Sequence, residues 1–122
     1  MANRTPRIYV LDIIEEIDCV NCLIEGRDLA SYEANKVVRR AIERCIEIIS
    51  EASRRIPDEI KARYPRIPWK QVSGIGNILR HDYGLVQNQI IWNIGIAALP
   101  ELRRAMTDIL AQLPEDPEDP EE

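Results

Sequence analysis

The sequence has no apolar run approaching the roughly 20 residues that a membrane-spanning helix needs. Residues 1–10, MANRTPRIYV, hold neither a hydrophobic signal core nor a small-residue cleavage site, so a cytoplasmic location is expected. No segment sustains the apolar–polar alternation of a strand. Cysteines are few and odd in number, at 19, 22 and 45 in a chain without a secretory signal, which argues against a disulfide framework. Histidine is scarcer still: His81 stands alone. Cys19 and Cys22 form a C-x-x-C and, with Cys45 and His81, would complete a four-ligand zinc set by count. They lie inside a continuous helical pattern rather than a glycine-rich knuckle, so no metal is expected and the cysteines read as buried or partly buried structural thiols. Asp12, Glu15, Glu16 and Asp18 also lack a histidine at matching spacing and read as an exposed acidic face.

What is present is a chain of 122 residues, 45% hydrophobic and 30% charged, the balance of one globular domain. Its net charge of −5 is concentrated at one end, because residues 114–122, PEDPEDPEE, carry six carboxylates and no base. The remainder holds 15 acids against 16 bases and is close to neutral. A helical domain over 1–113 and a disordered acidic tail over 114–122 are therefore expected. Charge alone neither demands nor excludes a nucleic-acid partner.

Apolar residues recur at helical spacing nearly everywhere. Val10, Ile13, Ile14, Ile17, Val20 and Ile24 make one stripe of a first helix over about 5–25, with Gly26 suited to its C-terminal cap. A second helix is expected from Asp28 or Ser31 to Ile56, striped by Val38, Ala41, Ile42, Cys45, Ile48, Ile49, Ala52 and Ile56 and stopped by Pro57. Its outer face carries Arg39, Arg40, Glu43, Arg44, Glu47, Glu51, Arg54 and Arg55. Arg39–Glu43 and Glu51–Arg55 there have the one-turn spacing of helix-stabilising pairs. This face is expected to be solvated, with some of its charges available to a dimer cleft. A proline-punctuated connection over 57–72 follows, with a short helix over 58–63, and then Ser73 as N-cap of a helix through 74–83. The next helix covers 86–99, with Val86, Ile90, Ile91, Ile94 and Ala97 inward. Pro100 opens the last one, striped by Leu102, Met106, Ile109, Leu110 and Leu113. The fold class is all-α: an up-and-down bundle of four to five helices.

Chemistry is concentrated in residues 74–84, GIGNILRHDYG. Asn77 and His81 are four apart and share a helix face, flanked by Arg80 and Asp82. Imidazole suits acid–base work near neutral pH, such as taking the proton of a ribose 2′-hydroxyl or giving one to a leaving oxygen. A nearby guanidinium steadies the charge that develops on phosphorus. The plain alternative is a structural histidine hydrogen-bonded at a helix end. Gly74-x-Gly76 at a helix start would let backbone N–H groups meet a phosphate, but no strand precedes it and the full glycine spacing is missing.

Five segments taken in order resemble the HepT-like family of HEPN (higher eukaryotes and prokaryotes nucleotide-binding) domains. They are LDIIE at 11–15, EIISEA at 47–52, IPWK at 67–70, GIGNILRHDY at 74–83 and LPEL at 99–102. The resemblance spans about residues 7–110. It implies a helical-bundle ribonuclease toxin of a bacterial or archaeal toxin–antitoxin pair, acting on RNA without metal or cofactor. The implied antitoxin is a minimal nucleotidyltransferase that silences the toxin by transferring AMP to a tyrosine. The family motif is an arginine, four residues, a histidine, one residue and a tyrosine. His81 and Tyr83 match it, which makes Tyr83 the AMP acceptor, whereas the arginine position falls on Gly76. His81, Arg80 and Asn77 are the catalytic candidates, with Arg80 as a replacement charge on our own inference. The alternative is a catalytically impaired module that binds the nucleotidyltransferase or a nucleotide. Positions 76 and 81 are about 140° apart around a helix and do not converge. A two-fold homodimer that sets this helix against its copy would bring both His81 side chains into one cleft. Gly84 is expected to end the helix and free Tyr83.

Overall fold

The structure, a computed structural model, describes residues 5–81 and 85–114, with only the backbone described at 77, 78, 80, 81, 85 and 86. Among the described residues there is no strand and no helix long and apolar enough to cross a membrane.

Helix α1, Pro6–Ile24, begins with proline at its first position, where a missing N–H costs nothing. It ends at Gly26, whose φ of 73° is the left-handed conformation that glycine adopts without penalty. The Arg27 Nε donates to the Leu23 carbonyl at 2.8 Å and satisfies one of the helix's last acceptors. The expected second helix is in fact two. Helix α2, Leu29–Ala34, opens on a reciprocal cap. The Ser31 N–H donates to Asp28 Oδ1 at 2.8 Å, and the Asp28 N–H to Ser31 Oγ at 3.1 Å. Asn35 then leaves the helical region (φ −113°, ψ 97°), and its side chain accepts the Val38 N–H to start α3, Lys36–Ser53. That side-chain bond competes with the backbone ladder, so the helix expected to run unbroken from Asp28 or Ser31 is interrupted at Asn35.

Pro57 caps α4, Asp58–Lys61, so the proline expected to stop the second helix starts the next one instead. Helix α5, Trp69–His81, begins five residues earlier than expected, with Pro68 supplying its first carbonyl to the Val72 N–H. Ser73 is inside the helix, its hydroxyl donating back to the Trp69 carbonyl at 2.7 Å, and is not an N-cap. Helix α6, Leu85–Asn93, runs directly into a π-helical turn, Ile94–Ala98, and then into α7, Leu99–Gln112. No break occurs before Pro100. The Leu99 N–H reaches Ile94, five residues back, and this wider turn accommodates a ring that has no N–H and crowds the preceding turn.

The long helices lie side by side in the order α5, α3, α1, α7, around Val10, Ile13, Ile17, Ile42, Ile49 and Met106. Of the expected stripes, Ala97 is exposed, and Ile14, Ile24, Ile90 and Ile94 are only half-buried. Ile46 is fully buried although it lay outside the expected stripe. Asp18 meets Arg103, while Gly95 lies against Val20 and Ile24, so α1 runs antiparallel to the π–α7 rod. Tyr32 of α2 packs on Trp92 of α6, ring centroids 5.6 Å apart. Burial pushes the Tyr32 phenol up to about 12, the Glu43 charge adds to this, and Arg39 opposes it.

Candidate functional site

Helix α5 is fastened at three levels before it reaches the motif. The Trp69 indole N–H donates to the carbonyls of Lys61 and Tyr64 at 3.1 and 3.2 Å. Val72 and Ile75 are buried against the core. At the third level the Ser73 carbonyl accepts the Ser50 hydroxyl at 2.9 Å and the Arg54 Nη2 and Nε at 2.7 and 3.2 Å. Arg54 follows the last turn of α3 and meets the first turns of α5, so the two helices run antiparallel.

One residue past this anchor pair of turns comes Gly76, buried on the α3 side. Beside it is a polar slot of about 140 Å³ lined by Gly76 with Arg44, Glu47, Ser50, Glu51 and Arg54. Gly74 and Gly76 stand five and seven residues into α5, so their N–H groups belong to the helical ladder. The phosphate-cradling role at a helix start is therefore corrected. Position 80 is one turn beyond 76 and position 81 one turn beyond 77, all within the helix. The side chains of Asn77, Arg80 and His81 lie outside the described residues, as do Asp82, Tyr83 and the helix end expected at Gly84.

The charged face of α3 is only partly the one expected. Glu51 pairs with Arg55 at 3.6 Å and also with Arg54 at 3.3 Å. Glu43 pairs with Arg40 at 3.1 Å, not with Arg39, which donates instead to the Glu33 carbonyl across the α2–α3 break. Arg44, Glu47, Ser50 and Arg54 were not singled out as site residues by sequence. Their spacing of three, three and four residues was the available signal, since it puts them on one helix edge.

Among the described residues no group of histidine, cysteine or acidic side chains is placed to hold a metal. Cys45 is buried, its thiol pushed up by desolvation and by the neighbouring Cys19 and Glu16. Cys19 and Cys22 are exposed, which corrects their reading as buried or partly buried thiols. On the acidic face of α1, Asp18 bonds Arg103 at 2.7 and 3.1 Å, and that guanidinium holds its carboxyl below the usual range. A larger cavity of about 490 Å³, lined by Ile46, Ile49, Val72, Ile75 and Leu99, is apolar apart from Gln71 and Glu101, and gathers no reacting groups.

The family model described as ribonuclease HepT-like matches residues 11–109. A Caldanaerobacter subterraneus subsp. tengcongensis protein whose name reads "putative RNase" is 32% identical over 107 residues, covering 88% of this chain and 96% of the relative. A Methanocaldococcus jannaschii protein of the same description is 30% identical over 115 residues, 94% of this chain and 99% of the relative. The "probable ribonuclease HepT" of Thermococcus cleftensis is 29% identical over 100 residues, 82% of this chain and 91% of the relative. No solved structure matches the chain significantly. With a family match over most of its length and an all-α bundle around the motif helix, the chain belongs to the HepT-like ribonuclease family.

Proposed function

We propose that the protein is a cytoplasmic, metal- and cofactor-independent ribonuclease, the toxin of a toxin–antitoxin pair. The observation that carries this is the family match, whose span of 11–109 takes in the whole of α5 with His81 as its last residue. In the reaction an imidazole takes the proton of a ribose 2′-hydroxyl, and the freed oxygen attacks phosphorus. The bond from phosphorus to the 5′-oxygen breaks, and that oxygen receives a proton from an imidazolium. A homodimer that pairs α5 with its copy supplies both groups as two His81 side chains, one as base and one as acid. Asn77 and Arg80 orient and hold the substrate beside them.

Silencing follows from AMP transfer by a cognate minimal nucleotidyltransferase to Tyr83. Tyr32 and Tyr64 are poorer acceptors: Tyr32 is fully buried, and the Tyr64 hydroxyl is bonded to Asp108 and Gln112. One observation favours a second reading, a non-catalytic module that docks the nucleotidyltransferase: Gly76 is buried and offers no guanidinium from the motif position. The deciding experiment is cleavage of single-stranded RNA by the protein freed of its partner. Wild-type chain should cut, and His81→Ala should cut about 10²–10⁴-fold more slowly with its helical circular dichroism intact. RNA left intact by a wild-type chain that still binds the nucleotidyltransferase selects the second reading. A mass increase with ATP that survives Tyr83→Phe removes the AMP assignment, and a monomer by light scattering removes the composite cleft.

A further inference from the structure

The slot over Gly76 holds two guanidinium groups with unequal freedom. Arg54 is committed, its Nε and Nη2 to the Ser73 carbonyl and its Nη1 to Glu51 at 3.3 Å. Glu51 is further neutralised by Arg55 at 3.6 Å. Arg44 is different: among the described residues its guanidinium has no hydrogen-bond or ion-pair partner, yet it lines the same slot as Gly76. A planar fork of donors held free beside a polar slot is suited to bidentate contact with a phosphate.

Register places this group at the right level. The short Ser50 side chain meets the Ser73 carbonyl, which sets the two antiparallel helices against each other. Arg44 lies six residues back along α3, about 9 Å by helical rise. Six residues forward from Ser73 along α5 is position 79, in the same turn as Arg80 and His81. Ser73, Gly76 and position 80 also fall on one stripe of α5, the stripe that faces α3.

We propose that Arg44 supplies from α3 the phosphate-holding guanidinium that the family motif puts at position 76, and that the slot over Gly76 seats the sugar–phosphate backbone of single-stranded RNA beside His81. This rests on the ribonuclease reading for its chemistry but not for its binding. With glycine at 76 a phosphate has room to approach α3, and the charge comes across the slot instead of from within α5. Glu47 is the remaining carboxylate at the slot and repels the same phosphate, which limits affinity at rest.

The test compares full-length wild type, Arg44→Ala, Arg44→Lys, His81→Ala and Arg40→Ala. Arg40 is a neighbouring exposed arginine already paired with Glu43, and so serves as the control. Cleavage is read on a quenched single-stranded RNA, and binding by anisotropy of its 2′-O-methyl form, which cannot be cut. Thermal melts confirm that each variant is folded. Arg44→Ala should slow cleavage about 10²–10³-fold, the loss typical of one removed oxyanion donor. It should also lower the magnitude of the salt slope of binding by about 0.7, the value for one phosphate contact on a single strand. Arg44→Lys should recover more of the binding than of the cleavage, because it restores the charge without the fork. Arg40→Ala should leave both readouts unchanged. If Arg44→Ala cuts like wild type while His81→Ala does not cut, the slot proposal is overturned and the ribonuclease reading stands. If wild type cuts nothing, the ribonuclease reading falls and anisotropy decides the slot. A binding loss specific to Arg44→Ala then upholds it, and equal binding by both variants, or none by wild type, overturns it.

Discussion

Removing the donors on the Ser73 carbonyl should destabilise the protein non-additively. Ser50 Oγ is 2.9 Å from that oxygen in a side chain only 2% exposed, and Arg54 approaches the same oxygen from the solvent side at 2.7 Å. Ser50→Ala deletes one oxygen and opens little space, so its cost is that of one net hydrogen bond, about 1 kcal/mol. Arg54→Ala loses a charged bond, but the side chain is 44% exposed and water screens it, which again leaves about 1 kcal/mol. Either variant keeps one α3 side-chain donor on the carbonyl. Only the double variant leaves α5 without a polar tie to α3 at this level, so it should lose about 0.5–1 kcal/mol beyond the sum of the two. For 122 residues the unfolding entropy near the midpoint is about 0.26 kcal/mol/K. Each single variant should therefore lower Tm by about 4 °C and the double by about 10–12 °C. The assay is thermal unfolding followed by far-ultraviolet circular dichroism at one fixed protein concentration, since self-association would make Tm concentration-dependent. Losses that add to within about 0.3 kcal/mol would refute a shared anchor and show two independent surface contacts.

Met106→Ala should cost about 2–5 kcal/mol in urea unfolding, because the side chain of this α7 residue is fully buried in the core and its removal leaves a cavity. A loss under about 1 kcal/mol would place this part of α7 outside the core. The Arg103 guanidinium holds the Asp18 carboxyl below its ordinary 3.8, so the pair stabilises the fold above that pH and the benefit fades as pH falls through the depressed value. Arg103→Ala should therefore lower stability by about 0.2–1 kcal/mol at pH 7 and by nothing measurable near pH 2, and an equal loss at both would assign the effect to packing. Maleimide should label Cys19 and Cys22 quickly and Cys45 only on unfolding, since burial both shields that thiol and pushes it up; rapid labelling of all three in the native state would contradict the packing of α3.

Where the hydrophobic pattern was continuous and the capping chemistry plain, the sequence was easy to read. The first helix was placed within a residue at each end by its stripe and Gly26. Errors fell where a polar side chain decides between continuing and ending a helix. Asn35 breaks the ladder through a bond to the Val38 N–H, and the expected apolar stripe starts only at Val38, so periodicity gave no warning. Ser73 resembles a cap because glycines follow it. The helix had already begun at Trp69, whose indole is held by two carbonyls that only the fold of 61–64 brings near. Pro100 looks like a boundary, but a π-helical turn ahead of it lets one rod continue from α6 into α7.

The candidate site divides along the same physical line. Spacing along one helix is a local quantity, so the sequence alone relates His81 to Asn77, one turn away, and to Gly76, about 140° around the helix. What stands opposite Gly76 depends on the offset between α3 and α5, which is fixed by contacts 19 and 23 residues apart in the chain. Arg80 was the natural substitute for the missing motif arginine when only one helix was in view. Once the Ser50–Ser73 contact sets the offset, Arg44 comes level with the same turn from the other side of a polar slot. The two arginines predict different behaviour, which separates them. A charge carried on α5 moves with His81, so Gly76→Arg should restore the motif arginine and enhance cleavage whether or not Arg44 is present. A charge carried on α3 needs the slot open, so the same substitution should fill the space of about 140 Å³ and make Arg44 redundant. On either account Arg44→Ala should leave cleavage by Gly76→Arg unchanged, so its effect in the natural chain tells which helix carries the charge there. A wild type that is insensitive to Arg44→Ala would return the role to Arg80.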